Sequence, residues 1–181
     1  MDPHIDRVKR ELAESIDRGL AATTVDVVVM GPSLDSSTPS AKLRRDIIRA
    51  AKAYGASIKP EHRGLSQVAA ERLRAGYHLA RFEWELVDIS DLAVLIPDSP
   101  GSLCELGLFA DSQRFGPKML IFANKDHPQE GSYVTDGPLT AADHNGAEVH
   151  HIDYADFDLA WSYVQSRIER VQAHLSMRRL T

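Results

Sequence analysis

Three short apolar runs constrain this chain more than any other feature. "VDVVVM" (25–30), "DLAVLIP" (91–97) and "KMLIFAN" (118–124) are close to continuously apolar rather than alternating. Such runs suit strands buried on both faces, as in the middle of a parallel sheet. Amphipathic segments separate them. "AKLRRDIIRAAKAYG" (41–55) sets Leu43, Ile47, Ile48 and Ala51 on one helical face and stops at Gly55. A longer helical region, 66–88, carries Leu73, Tyr77, Ala80, Trp84 and Val87 at steps of three and four, with Gly76 as a point of division. "SLCELGLFADSQRFG" (102–116) reads as a helix ended by Gly116. The last helix, from 155 to 175, has Leu159, Tyr163, Ile168 and Val171 near one face, and residues 3–19 form a first helix. "ASIKPEH" and "EVHHID" are short strands, the second at an edge. Residues 125–147 read as a polar, glycine-rich loop, a lid or a partner contact.

Strand alternates with helix throughout. The expectation is an α/β fold: an open, mainly parallel five-stranded sheet with helices on both faces, Rossmann- or flavodoxin-like, in a single domain spanning 1–181. Composition narrows the function classes. A net charge of −5 argues against a broad nucleic-acid surface, and one cysteine excludes an internal disulfide or a cysteine-based metal site. No apolar run reaches the ~20 residues of a membrane span. The charged opening "MDPHIDRVKRELAESIDRG" lacks the apolar core of a signal peptide, so a cytoplasmic protein is expected.

In open parallel sheets, ligands sit beyond the carboxyl ends of the strands. That rule selects the loops 31–40, 97–104 and 124–147. The second is the most informative. Pro97 and Pro100 stiffen it, Gly101 permits close backbone approach, Ser99 or Ser102 can cap the next helix, and Glu105 follows in its first turns. A glutamate there can simply complement the helix N-terminus. Its apolar neighbours Leu103, Cys104, Leu106, Leu108 and Phe109 point instead to a buried helix with a desolvated carboxylate, and Asp98 supplies a second acid. In the first loop, the tight glycine turn of Gly31, Pro32 and Ser33 can expose backbone N–H groups to a ligand, or the hydroxyls beyond it can merely cap a helix. Neither a dinucleotide fingerprint nor a P-loop is present. Cys104 reads as a buried structural thiol, because no histidine is evident beside it. His150 and His151 alternate across a strand and cannot easily share a metal, so no metal and no cofactor are expected. Tyr77, Phe82 and Trp84 read as core. Arg44, Arg45, Arg63 and Arg72 read mostly as solvated, with one free to meet a phosphate.

"VVVMGPS" together with "SDLAVLIPDSPGSLCELGLFA" resembles the nucleoside 2-deoxyribosyltransferase-like enzymes, a wider group that includes cytokinin-activating phosphoribohydrolases and retron-associated effectors. The likeness covers roughly 25–125, and "PDSPGSLCELGLFAD" is most similar to the effector branch. The resemblance implies that Glu105 is the nucleophile at the anomeric carbon of a nucleoside. It places Asp98 near the sugar and Glu83, with Glu85 beside it, near the base. It also implies a homo-oligomer whose subunits complete one another's sites.

The residues are those the chemistry requires. Cleaving an N-glycosidic bond passes through an oxocarbenium-like sugar that a carboxylate stabilises or captures, while an acid assists the leaving base. The expected function is therefore an N-glycosidase or deoxyribosyltransferase acting on a nucleoside, nucleotide or NAD, deployed as a defence or toxin effector. Glu105, Asp98 and Glu83 would be catalytic. Gly31, Pro32, Ser33, Glu85, Gly101, Ser102 and Asn124 would line the substrate. A nucleotide-sensing module without turnover, regulating a partner, is the alternative.

Overall fold

The computed structural model describes residues 23–59, 79–126 and 131–178. The elements are β1 (Asp26–Met30), α1 (Pro39–Ala53), β2 (Ser57–Ile58), α2 (Leu79–Ile89), β3 (Leu92–Leu95), α3 (Pro100–Phe109), β4 (Met119–Asn124), α4 (Thr140–His144), β5 (Glu148–Ile152) and α5 (Phe157–Arg178). The five strands form one sheet in the order β2-β1-β3-β4-β5, and every pairing is parallel. The expected α/β architecture is the observed one.

Strand alternation explains the two cores. Val27, Val29, Leu92, Val94, Ile96, Leu120 and Phe122 face one side, where α1 and α5 bring Leu43, Ile47, Val164 and Ile168. Val28, Met30, Ala93, Leu95, Met119, Ile121 and Ala123 face the other, against Leu86 and Val87 of α2 and Leu106 and Phe109 of α3. Side chains in successive positions point to opposite faces, so a strand covered on both sides must be apolar throughout. Each large side chain buried in this way contributes roughly 1.5–3 kcal/mol relative to exposure.

The order 2-1-3-4-5 makes the chain reverse direction across the sheet between β1 and β3. A crevice opens at such a switch point, outside the carboxyl ends of the strands. Because the strands are parallel, each connecting helix starts at that edge and runs back.

Several boundaries differ from the sequence reading. The helix expected at 102–116 spans Pro100–Phe109, because Ser99 caps it and Pro100 occupies its first turn. Residues 116–118 form a separate 3-10 turn. The α3 helix is not buried all round: Leu103 and Leu108 are 36% and 39% exposed. Cys104 is exposed, not a buried thiol. Its position falls outside the inward stripe Ser102–Leu106–Phe109. The 125–147 segment contains π-helical residues Thr135–Leu139 and α4, and it buries Leu139 and Ala142 in the core. In α5 the buried stripe is Ala160, Val164 and Ile168; of the expected face, Ile168 is buried, Tyr163 and Val171 pack against the same core, and Leu159 is exposed. The expected helix at 3–19, Leu73, Tyr77 and the division at Gly76 lie outside the described residues. Among the described residues, no helix is long and apolar enough to cross a membrane.

Candidate active site

The chain leaves β1 through Gly31. A Cβ there would stand 3.1 Å from Ile96 O and 3.2 Å from Ile96 Cβ, so glycine lets the first loop close against the end of β3. Gly31 is half-buried, Pro32 buried and Ser33 exposed. The backbone N–H of Ile96 donates to Met30 O (3.0 Å), joining the two strand ends.

The β3 exit is built by two serines. Ser102 Oγ accepts from the N–H groups of Asp98 (3.1 Å) and Ser99 (2.9 Å), and it donates to Ser99 O (3.1 Å). Ser99 Oγ accepts from Ser102 N–H (3.2 Å), which completes a capping box. Ser102 is only 1% exposed. Its hydroxyl, expected from sequence to line the substrate, is spent inside the turn and fixes the backbone of Asp98. Gly101 is exposed, with open space beside it among the described residues.

Glu105 belongs to the inward side of α3. Positions 102, 105, 106 and 109 follow helical spacing, and Ser102, Leu106 and Phe109 are buried. Glu105 is half-buried, and its Oε2 is closed off from solvent. On α2, Glu83 holds the equivalent place. It lies three and four residues before the buried Leu86 and Val87 and is itself half-buried. The α2 and α3 helices pack together over the same apolar cluster. Glu83 and Glu105 each precede a buried residue of that cluster on their own helix. Glu85 pairs with Arg81 through Arg81 Nε (3.1 Å). Phe82 and Trp84 pack against the cluster as expected of core residues, and Trp84 meets the ring of Phe115 edge-on at 4.9 Å.

A cavity of about 450 Å³ opens beside the β3 exit, lined by Asp98, Ser99, Leu103, Ser132, Val134 and Thr135 among others. Glu105 is not part of that lining. The second and third loops selected from sequence therefore share a concavity, and the first meets the end of β3 at Ile96. Asn124, at the end of β4, is half-buried; its Oδ1 accepts from Asp126 N–H (3.0 Å).

Three residues at this edge stand differently from the sequence reading or were not singled out by it. Arg44 was read as solvated but is 2% exposed. It sits in the inward stripe with Ile47 and Ala51, and a charged residue interrupting an apolar stripe was the available signal. Its Nε and Nη2 donate to Val29 O (3.2 and 2.9 Å), and its Nη1 donates to Gly31 O (3.1 Å) and Pro32 O (2.7 Å). Arg45 Nη1 donates to Leu34 O (2.6 Å) and Ser36 O (2.7 Å). Tyr154 is buried below the edge and donates to Phe122 O (3.1 Å). Burial, and then the negative charge of Asp98, push its phenol well above the usual range. Arg63 and Arg72 lie outside the described residues. His150 stacks on Tyr163 at 3.7 Å, whereas His151 is exposed on the other face. Among the described residues, no group of three or more potential ligands gathers to hold a metal.

No curated protein matches the chain. Among solved structures, the CMP N-glycosidase BcmB of Clostridium botulinum aligns over 77% of this chain and 98% of its own, with 17% identity and a TM-score of 0.45. The likeness of "PDSPGSLCELGLFAD" to the effector branch accords with the family comparison. The model for the STM3845 retron effector protein family matches residues 41–179, well over half of the sequence, and the chain belongs to that family.

Proposed function

We propose that this protein cleaves the N-glycosidic bond of a nucleoside, nucleotide or NAD, with Glu105 as the nucleophile. One observation carries the reading: a carboxylate on the inward stripe of α3, one oxygen closed off from solvent, on the helix that leaves the switch-point strand. Held poorly hydrated, such a group exerts strong electrostatic leverage on a developing sugar cation. Glu105 attacks the anomeric carbon, and the bond to the base breaks with its electron pair leaving on the base. Glu83, across the shared cluster, delivers a proton to that base. Water or a second base then takes the sugar from Glu105, which returns as a carboxylate. Asp98 orients the sugar from the turn that precedes α3. Membership in an effector family supports use of this reaction as a toxin in defence.

The test is incubation with a panel of nucleosides, nucleotides and NAD, followed by measurement of free base. Release by the unaltered chain and a loss of about 10³-fold in Glu105→Gln are expected. Full activity in Glu105→Gln would sink the assignment. Binding without release, unaffected by that substitution, would indicate the sensing module instead.

A further inference from the structure

We propose that Arg44 is the positioning residue of this site, setting the shape of the loop that meets substrate at the switch point between β1 and β3. The inference rests on the base-release reading. The guanidinium is buried and grips three carbonyl oxygens, those of Val29, Gly31 and Pro32, across the point where β1 ends. The carbonyl between them, Met30 O, is taken by Ile96 N–H. Beyond it, Ser33 O accepts from Ser36 N–H (3.0 Å), and Arg45 takes Leu34 O and Ser36 O. The carbonyls of residues 29–34 and 36 are thus all satisfied within the protein. In a trans peptide the N–H points opposite to the preceding C=O. With Pro32 O drawn inward, Ser33 N–H is directed away from Arg44, on the outer side of the loop. That side offers the Ser33 N–H as a donor, which suits an acceptor oxygen of the substrate such as one on its sugar.

Packing transmits the constraint. A Cβ on Gly31 would meet Arg44 Cδ at 3.4 Å on one side and Ile96 O at 3.1 Å on the other. The loop is wedged between the arginine and the end of β3. Ile96 O in turn accepts from Asp98 N–H (2.9 Å), so the same contact line reaches the turn that carries Asp98. Only a planar fork with several donors spans carbonyls set this far apart. A lysine in this place keeps the charge and loses the geometry.

Steady-state kinetics with whichever substrate the panel reveals decide the matter. Arg44→Lys is compared with Val164→Ala, a cavity in the same core cluster but on α5. Arg44→Lys is expected to lower kcat/KM by about 10²-fold, as misplacement of a reacting group by about an ångström does. Val164→Ala is expected to stay within about twofold even where it lowers the unfolding midpoint as much. Gly31→Ala, pressing the loop from the other side, is expected to match Arg44→Lys and replaces it if that variant does not fold. Activity within about twofold in the loop variants, or an equal loss in Val164→Ala, overturns the proposal while leaving the reaction intact. If the unaltered chain binds a nucleotide without releasing base, the reaction fails and Kd becomes the readout, with about tenfold weakening expected in Arg44→Lys. Neither binding nor release by the unaltered chain overturns both.

Discussion

Adding one methyl group at Gly116 would place it 2.0 Å from Asn145 O and 2.6 Å from the carbonyl carbon. Backbone cannot swing aside as a flexible side chain does, so one of two segments must move. Asn145 also donates through Nδ2 to Ala110 O (3.0 Å), closing the C-terminal end of α3. Gly116→Ala therefore strains the turn and strips that cap. A cost of about 3 kcal/mol is expected, the upper end for overpacking, read as a lower denaturant midpoint. A midpoint unchanged from the unaltered protein would contradict the close approach. From sequence, Gly116 looked like a helix stop, because a glycine at the end of a helical stretch carries no sign of what lies opposite it in space. Glu105 was legible, since a carboxylate inside the apolar run "LCELGLF" stands out. Arg44 was not. Its partners are backbone carbonyls of another segment, and composition says nothing about where carbonyls point.

At the scale of elements, α3 depends on how its first turn is tied. Ser99 and Ser102 satisfy each other's backbone donors, and Ser102 Oγ also holds Asp98 N–H. Ser102→Ala removes the acceptor for two buried-side N–H groups and the donor to Ser99 O. Losing a cap costs about 1 kcal/mol, and a chemical denaturation curve should show that decrement. Base release is expected to fall further than stability, because Asp98 loses its anchor; a variant with unchanged stability and turnover would remove the turn from the account. The helix itself was legible in sequence, from its apolar run and its proline–serine start. Its end was not, because Phe115, beyond the polar stretch 111–114, is buried without being helical. Apolarity marks what is kept from water, not which backbone carries it. The same limit explains Leu103, read as core but standing on the cavity wall.

Across the whole molecule, the sheet must be closed where β5 forms its last strand. Strand alternation and helix spacing were enough to foresee an open parallel sheet, but the polar closure of this edge was not visible. Its partners come from β5 and α5, brought together only by the final crossover. Glu148 Oε2 accepts from Arg170 Nη2 (2.7 Å), Arg167 Nη1 lies 3.7 Å away, and Glu148 Oε1 meets His150 Nε2 at 3.0 Å. Burial pushes the Glu148 carboxyl up, but the hydrogen bonds from His150 and Arg170 and the two arginine charges outweigh it and hold it below the usual range. A carboxyl depressed in the folded state binds protons more readily when the chain is unfolded. Its contribution is fully present above the unfolded value, about 4.3, and is lost as pH falls through the lower folded value. Glu148→Gln lacks the contribution at every pH. Urea midpoints should therefore separate the variant from the unaltered protein at pH 7 and converge as the pH falls below the ordinary glutamate range. A gap of constant size across that range would mean that the arginines and His150 do not hold the charge of Glu148, and that the β5–α5 seam is closed by packing alone.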